Sequence, residues 1–222
     1  IAKKKKLIII EDSADTLGAK INGKPTGRYS DYAITSFYGS HVISCAGNGG
    51  MLMLKKKTEY EKARVLRSWG RLSSVVADSE NINRRLNIKI GGYEYDKKFV
   101  FADLGFNFEP SEIGASFGLI QLKKFQNFEK RRKANFHYHL NFFKKYEKYF
   151  IIPKINTGVK TNFLAYPIII NENTFVSRKK FQIYLEKHNI QTRPIFTGNL
   201  LSQHINLNID WIKTFPNKDW RW

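Results

Sequence analysis

The chain has 222 residues, of which 42% are hydrophobic and 14% aromatic, so it can bury a substantial core and disorder is not expected. Its longest apolar run, in "KKLIIIED", has the length of a strand, which excludes a membrane span and is too short for the apolar part of a signal peptide. A single cysteine, Cys45, excludes a disulfide framework and any multi-cysteine metal or iron–sulfur site built from this chain alone. These bounds predict a cytoplasmic protein.

The formal net charge of +19 is spread along the chain rather than concentrated. Lysines occur in almost every segment, and short runs such as "KKKK" and "EKRRK" are typical of solvated helix faces. We therefore expect no nucleic-acid partner, and an anionic small substrate fits the charge equally well.

Both ends of the sequence indicate that this chain is a piece of a longer protein. The first residue is Ile1, the first methionine is Met51, and the last residues are "PNKDWRW". We expect truncation at both ends.

The first third of the chain contains three predicted strands. "KKLIIIED" is predicted to be a buried parallel strand that ends in two acids. "INGKPTGRYSDY" carries turn signals, and "YAITSF" and "GGMLMLKK" are rich in β-forming residues. "KTEYEKARVLRSWG" has apolar residues at helical spacing and predicts a helix that stops at Gly70.

The remaining chain predicts a long helix followed by a small domain. The segment from Leu72 to about Phe101 is polar and irregular, which indicates a loop. Ser111 is a good N-cap for a helix of about 35 residues, long enough to leave one domain and enter the next. The later predicted elements are a strand in "NFLAYPIII", a helix in "SRKKFQIYLEKHN" and a strand in "IQTRPIF". This order predicts an α/β fold with a mainly parallel sheet, divided into domains 1–130 and 131–222.

Four side chains near predicted strand ends are candidates for a site. Ligands of parallel α/β sheets bind at the carboxyl ends of the strands, where Asp12 lies, although helix capping would explain Asp12 and Asp15 equally well. The hydroxyl of Ser36 and nearby backbone N–H groups could hold a phosphate. His41 alone would more often be a structural histidine. A nucleophile pair with Cys45 is not favoured, because four residues on one loop give poor geometry.

A strand-end aspartate, a strand-end serine and a basic side chain five residues later together form the layout of a pyridoxal phosphate (PLP) site. Here the chain resembles the DegT/DnrJ/EryC1/StrS family of sugar aminotransferases and dehydratases. The matching stretches, in order, are "IIEDSADTLGAKINGKPTGRYSDYAITSFYGSH", "GNGGM", "LRSWGR", "GFNFEPSEIGASFGLIQL" and "TRPIFTGNLLSQ". The resemblance covers nearly all of the chain. It implies the type I PLP-dependent transferase fold (aspartate aminotransferase-like), with the C-terminal part of the large domain in residues 1–130 and an incomplete small domain in residues 131–222.

The resemblance is greatest to the sugar 3-dehydratase branch of that family. The family usually has a Schiff-base lysine where this chain has His41, and Lys→His marks the branch that removes the C3 hydroxyl of nucleotide-linked 4-keto-6-deoxy sugars. Asp15 stands where aminotransferases more often carry His or Gln. One sub-branch adds an iron–sulfur cluster on cysteines after the "WGR" stretch. Here "WGRLSSVVADS" has none, so no cluster is expected.

The resemblance also implies residue roles. His41 would be the base, with the cofactor, PLP or pyridoxamine phosphate (PMP), held without a covalent bond. The implied cofactor contacts are Asp12 to the ring nitrogen, Asp15, Ser36 to the phosphate, and Asn107 to the cofactor of a neighbouring subunit, which implies a homodimer with shared sites. Arg193 and Asn199 would face the sugar, and glutamate would serve as amino donor. No metal is implied.

Two alternatives remain beside dehydration. The first is a sugar aminotransferase that uses another lysine, of which Lys55–Lys57 are nearest but follow a strand and should point away from the loop. The second is a non-catalytic member of the family. The chain also departs from the family pattern: "SCAGNGGM" is one residue longer than usual, and Glu109 stands where many relatives have a basic residue.

Overall fold

The computed structural model describes residues 1–77 and 79–196, which divide into two compact units. The first comprises Ile1–His139 and Lys154–Tyr166, and the second comprises Leu140–Pro153 and the chain from Pro167. The boundary predicted between residues 130 and 131 falls within a helix and stays a prediction.

The described chain contains ten strands, most of them short. They are β1 (Ile10–Asp12), β2 (Lys20–Ile21), β3 (Lys24–Pro25), β4 (Tyr32–Ser36), β5 (Gly50–Leu54), β6 (Lys89–Ile90), β7 (Tyr93–Glu94), β8 (Phe150–Ile151), β9 (Val159–Lys160) and β10 (Ile169–Ile170). The α-helices are α1 (Ala2–Lys5), α2 (Lys57–Arg67), α3 (Ile82–Arg85), α4 (Glu112–Lys144) and α5 (Arg178–Lys187), and single 3₁₀ turns occur at Leu72–Ser74 and Lys97–Phe99.

A three-stranded sheet in the order β1-β4-β5 organises the first unit. β1 pairs with β4 in parallel, whereas β5 pairs with β4 in the antiparallel sense. The expected mainly parallel sheet is wrong for the described chain, where one pairing is parallel. β5 follows β4 after a loop that contains no helix, whereas the crossover that joins parallel strands is usually a helix. The ends of β1 and β4, with the residues that follow them, are called the carboxyl edge below.

β1 confirms the predicted parallel strand but not its burial. Ile8 and Ile10 are 69% and 70% exposed. A continuous apolar run indicates cover on both faces. Within the described chain, however, these side chains lack that cover, because both remain more than two-thirds exposed.

The turn signals in residues 21–32 are confirmed. Asn22 and Gly23 join β2 to β3 with φ angles of 49° and 77°, the left-handed conformation that a two-residue hairpin requires. β9 pairs with the other side of β2. This small sheet ties the segment Lys154–Tyr166 to the first unit.

α2 and α4 match their predictions. α2 ends at Arg67, and the Gly70 N–H donates to the Val65 carbonyl at 2.8 Å. Between them, residues 72–101 are largely irregular, as predicted, apart from α3, the β6–β7 hairpin and the two 3₁₀ turns. α4 has 33 residues, and the Ser111 hydroxyl accepts from the Gly114 N–H at 3.3 Å at its start.

The second unit contains an antiparallel pair and one helix. β8 pairs with β10, which is shorter than the strand predicted in "NFLAYPIII". α5 is confirmed, with the Ser177 hydroxyl as its N-cap. The strand predicted for residues 190–196 is wrong, because the Thr192 backbone N–H and hydroxyl donate to the Glu186 carboxylate and tie this segment to α5.

Membrane-spanning helices are not found in the part of the chain that the structure describes, since none of its helices combines the required length and apolarity.

Candidate active site

The carboxyl edge carries Asp12 and Ser36 because β1 and β4 run in parallel and end side by side. Asp12 is exposed, and its Oδ1 accepts from the Ala14 N–H at 3.1 Å. The Ser36 hydroxyl accepts from the Tyr38 N–H at 3.2 Å. Both side chains therefore sit in tight turns that leave the sheet in the same direction.

Buried polar contacts hold the two strand ends together. Ser13 is 2% exposed, and its N–H donates to the Ile34 carbonyl at 2.9 Å. The Thr35 hydroxyl donates to the Ser13 carbonyl at 3.1 Å. The Glu11 carboxylate accepts from the Gly27 N–H at 2.7 Å and from the Ser13 hydroxyl. The sequence patterns did not indicate a role for these residues. The alternation in β4, where Ala33 and Thr35 are both buried, is the signal that could have found Thr35.

His41 lies against the segment that follows β1. Its Nδ1 is 2.8 Å from the Ala14 carbonyl oxygen and 2.9 Å from Oδ1 of Asp15. The His41 side chain is 16% exposed, and the Tyr38 ring stands edge-on to it at 6.1 Å between ring centroids. The structure thus brings Asp12, Asp15, Ser36 and His41 to the same edge of the sheet.

Lys55–Lys57 lie at the opposite end of the sheet. Ser36 is paired with Gly50, and Tyr32 is paired with Leu54, so β5 runs away from the carboxyl edge. Four steps of a strand cover about 13 Å, which separates the lysines from Ser36 by at least that distance along the sheet. Lys56 and Lys57 also pair with Glu59 and Glu61 at 3.3 and 3.6 Å.

The glycine-rich loop after His41 approaches helix α4. Cys45 packs against Gly114 and Gly118, which are buried and one helical turn apart. A Cβ on Gly118 would overlap Sγ of Cys45. A Cβ on Gly114 would lie 3.0 Å from the carbonyl oxygen of Cys45. The two glycines therefore allow the loop to lie directly on the helix.

The remaining predicted site residues are Asn107, Arg193 and Asn199. Asn107 is exposed and forms an isolated bridge with Ser68, next to a hydrogen bond from the Trp69 N–H to the Phe106 carbonyl. Arg193 lies in the second unit, where its guanidinium donates to the Thr192 carbonyl at 2.7 Å and lies 4.0 Å from Glu186. Asn199 is outside the described residues. The roles of all three stay predictions.

Comparison with known proteins identifies the family. Residues 1–214 match the DegT/DnrJ/EryC1/StrS aminotransferase family. The chain belongs to this family. Among its curated relatives, the lipopolysaccharide biosynthesis protein RfbH of Salmonella typhimurium is 29% identical over 95% of this chain and 49% of that protein. GDP-4-keto-6-deoxy-D-mannose 3-dehydratase of Escherichia coli O55:H7 is 27% identical over 94% of this chain and 50% of that protein.

The DegT/DnrJ/EryC1/StrS relatives include more than dehydratases. A Campylobacter jejuni UDP-4-amino-4,6-dideoxy-N-acetyl-beta-L-altrosamine transaminase is 29% identical over 77% of this chain and 39% of that protein. The chain thus spans about half the length of the first curated relatives, and the family contains both reaction types.

Solved structures confirm the predicted aminotransferase-like fold. The Escherichia coli GDP-4-keto-6-deoxy-D-mannose-3-dehydratase with bound hydrated PLP has a TM-score of 0.78 at 26% identity, covering 93% of this chain and 51% of that one. DesV of S. venezuelae, at 19% identity, shares the fold with a TM-score of 0.73 over 93% of this chain and 48% of its own.

Proposed function

We propose that this chain forms part of a PLP- and PMP-dependent enzyme of nucleotide-sugar biosynthesis. The reaction that we propose is removal of the C3 hydroxyl from a nucleotide-linked 4-keto-6-deoxyhexose, with His41 as the base. One observation carries the proposal. His41 stands at the carboxyl edge beside Asp15, whereas the nearest lysines in sequence lie at the far end of β5.

The side chains at the carboxyl edge fit this cofactor. An exposed carboxylate at the end of β1, that of Asp12, can accept a hydrogen bond from the N–H of a protonated pyridine ring. The Ser36 hydroxyl accepts from the Tyr38 N–H and can still donate its own hydrogen to a phosphate. The imidazole of His41 cannot form a Schiff base. We therefore propose that the protein binds the cofactor by non-covalent contacts.

When bound, the cofactor would supply an electron sink for the charge that develops on the substrate. Asp12 would keep the ring nitrogen protonated and so favour that role. His41 would remove and return a proton, because histidine is the side chain that most often transfers protons as a general acid and base. Glutamate is the proposed amino donor.

The dimer and the sugar contacts rest on the family resemblance. Asn107, exposed beside Ser68, is the proposed contact to the cofactor of a neighbouring subunit, which requires a homodimer. Arg193 and Asn199 are the proposed sugar contacts. The boundary near residue 130 between a large and a small domain belongs to the same proposal.

Amino transfer is the second candidate, because a transaminase is among the relatives. It would require a lysine at the carboxyl edge. The antiparallel course of β5 and the pairing of Lys56 and Lys57 with acids on α2 count against Lys55–Lys57 in that role.

Borohydride trapping tests the proposal. The full-length protein is loaded with PLP, reduced with borohydride, digested and analysed by mass spectrometry. We expect no lysine modified by the cofactor. We also expect ammonia, whose nitrogen comes from glutamate, to be released when glutamate and a nucleotide-linked 4-keto-6-deoxyhexose are both supplied. A PLP adduct on any lysine would favour amino transfer.

The variant His41→Lys is expected to gain a borohydride-stable adduct and to lose dehydration, and Lys56→Ala serves as the control that changes neither. Dehydration that survives His41→Lys would contradict the role of His41. A protein that binds no PLP at all would favour the non-catalytic alternative.

A further inference from the structure

We infer that Asp15 is a positioning residue that acts through His41. In this role Asp15 holds the imidazole with its proton on Nδ1, so that Nε2 is the nitrogen that exchanges a proton with the substrate. This inference rests on the proposed function of His41, and its first test needs no catalysis.

Two oxygen atoms face the same nitrogen of the ring. The Ala14 carbonyl oxygen lies 2.8 Å and the Asp15 Oδ1 lies 2.9 Å from Nδ1 of His41. A carbonyl and a carboxylate accept hydrogen bonds and donate none, so both contacts are favourable when Nδ1 carries the hydrogen. In the neutral ring the other nitrogen, Nε2, then has the free electron pair.

The backbone around these groups limits their movement. The Ala14 N–H donates to the Asp12 carboxylate, and the Ser13 N–H donates to β4. The His41 N–H donates to the Tyr38 carbonyl at 3.0 Å. Asp15 and His41 are therefore presented from two tight turns that start at neighbouring strand ends.

The charge of Asp15 would act when His41 takes up a proton. When Nε2 takes a proton, the ring becomes an imidazolium cation with N–H groups at both nitrogens. The carboxylate of Asp15, in contact with Nδ1, stabilises that cation, and the neutral ring forms again when Nε2 returns the proton. The His41 side chain is 16% exposed, whereas that of Asp15 is 52% exposed, so solvent screens the pair in part.

The first experiment measures the tautomer directly. Long-range ¹H–¹⁵N spectra of the full-length protein without cofactor report which ring nitrogen of His41 carries hydrogen, with His41→Gln used to assign the signals. We expect the Nδ1–H form to dominate in the wild-type protein and its share to fall in Asp15→Ala. A dominant Nε2–H form, or an Nδ1–H share that Asp15→Ala leaves unchanged, would overturn the inference.

The second experiment separates positioning from cofactor binding. Because the partner that orients a reacting group is typically worth 10–100-fold in activity, kcat of Asp15→Ala should fall by about that factor with KM for the nucleotide sugar unchanged. Asp15→Asn, which keeps an acceptor oxygen but loses the charge, should recover part of the loss. Glu61→Ala removes a surface carboxylate from an ion pair on α2 and should leave kcat unchanged.

PLP affinity distinguishes an Asp15 that acts through His41 from an Asp15 that contacts the cofactor directly. If Asp15 acts through His41, Asp15→Ala should change the Kd for PLP by less than about threefold, below the 10-fold that corresponds to 1.4 kcal/mol. A loss of PLP affinity in Asp15→Ala that persists in the His41→Asn background would show a direct cofactor contact and overturn the inference. If the Nδ1–H form dominates but the protein has no dehydratase activity, the proposed function is contradicted. The inference that Asp15 orients His41 would then still hold.

Discussion

Cys45 lies directly against Gly118 of helix α4, with no room for a methyl group between them. This contact fixes the loop that carries His41 onto the helix that begins at Glu112. It also explains why a loop and a helix that are far apart in sequence both have small residues where they meet.

Gly118→Ala is therefore expected to destabilise the protein, although alanine favours helices by about 1 kcal/mol over glycine. Overpacking of a tight contact typically costs 1–3 kcal/mol, so we expect a net loss of about 1 kcal/mol in the free energy of unfolding. Urea denaturation measures this. The double variant Cys45→Ala/Gly118→Ala should be more stable than Gly118→Ala alone, and a single variant more stable than the wild type would show that the contact is not tight.

Gly70→Ala is expected to be more damaging. Gly70 has a φ of 80°, and a Cβ there would overlap the Asp103 carbonyl oxygen. A non-glycine residue in this conformation costs about 1–3 kcal/mol, and the overlap adds to it. Gly92→Ala is the matched control, because Gly92 has a φ of 87° with no atom within 4 Å of a Cβ. Urea denaturation gives the loss in the free energy of unfolding for each variant, and the difference between the two losses measures the cost of the overlap alone. Equal losses would contradict the overlap at Gly70.

Thr35→Val is expected to loosen the carboxyl edge. Thr35 is 8% exposed, and its hydroxyl donates to the Ser13 carbonyl beside Asp12. Removing a buried hydrogen bond of this kind costs about 0.5–1.5 kcal/mol. We expect that loss on urea denaturation together with weaker PLP binding, because one of the contacts between the strand ends that carry Asp12 and Ser36 is removed. Thr58→Val, at an exposed position of α2, should change neither quantity.

The Glu186–Thr192 contact predicts a pH dependence. Hydrogen bonds from the Thr192 backbone N–H and hydroxyl hold the pKa of the Glu186 carboxyl below its usual value, with a smaller contribution from Arg193. Because the pKa is lower in the folded state, the contact contributes stability above the unfolded pKa and loses it as the pH falls through the folded pKa. Thr192→Val should raise the pKa of Glu186 partway, since the backbone donor remains. Carboxyl ¹³C shifts of Glu186 against pH measure this, and an unchanged midpoint would contradict the role of the hydroxyl.

Local patterns predicted much of the fold. The Asn22-Gly23 turn, the Ser111 cap and the helical spacing of residues 57–70 and 112–144 depend on neighbours within a few residues, and all are confirmed. Two of the three failures depended on distant partners. The burial of β1 requires something to cover its apolar side chains, and a strand at residues 190–196 requires a pairing partner that competes with Glu186.

The sequence by itself determined which chemical groups are available: a carboxylate and a hydroxyl at two strand ends, and a histidine where the family usually has lysine. Only the tertiary structure decided which groups meet. The antiparallel register of β5 carries Lys55–Lys57 away from the carboxyl edge, and the turns after β1 and β4 bring Asp15 to His41. The physical reason is that each turn is fixed by its own neighbours, whereas the pairing of β4 with β5 and the contact between Asp15 and His41 join residues that are distant in sequence.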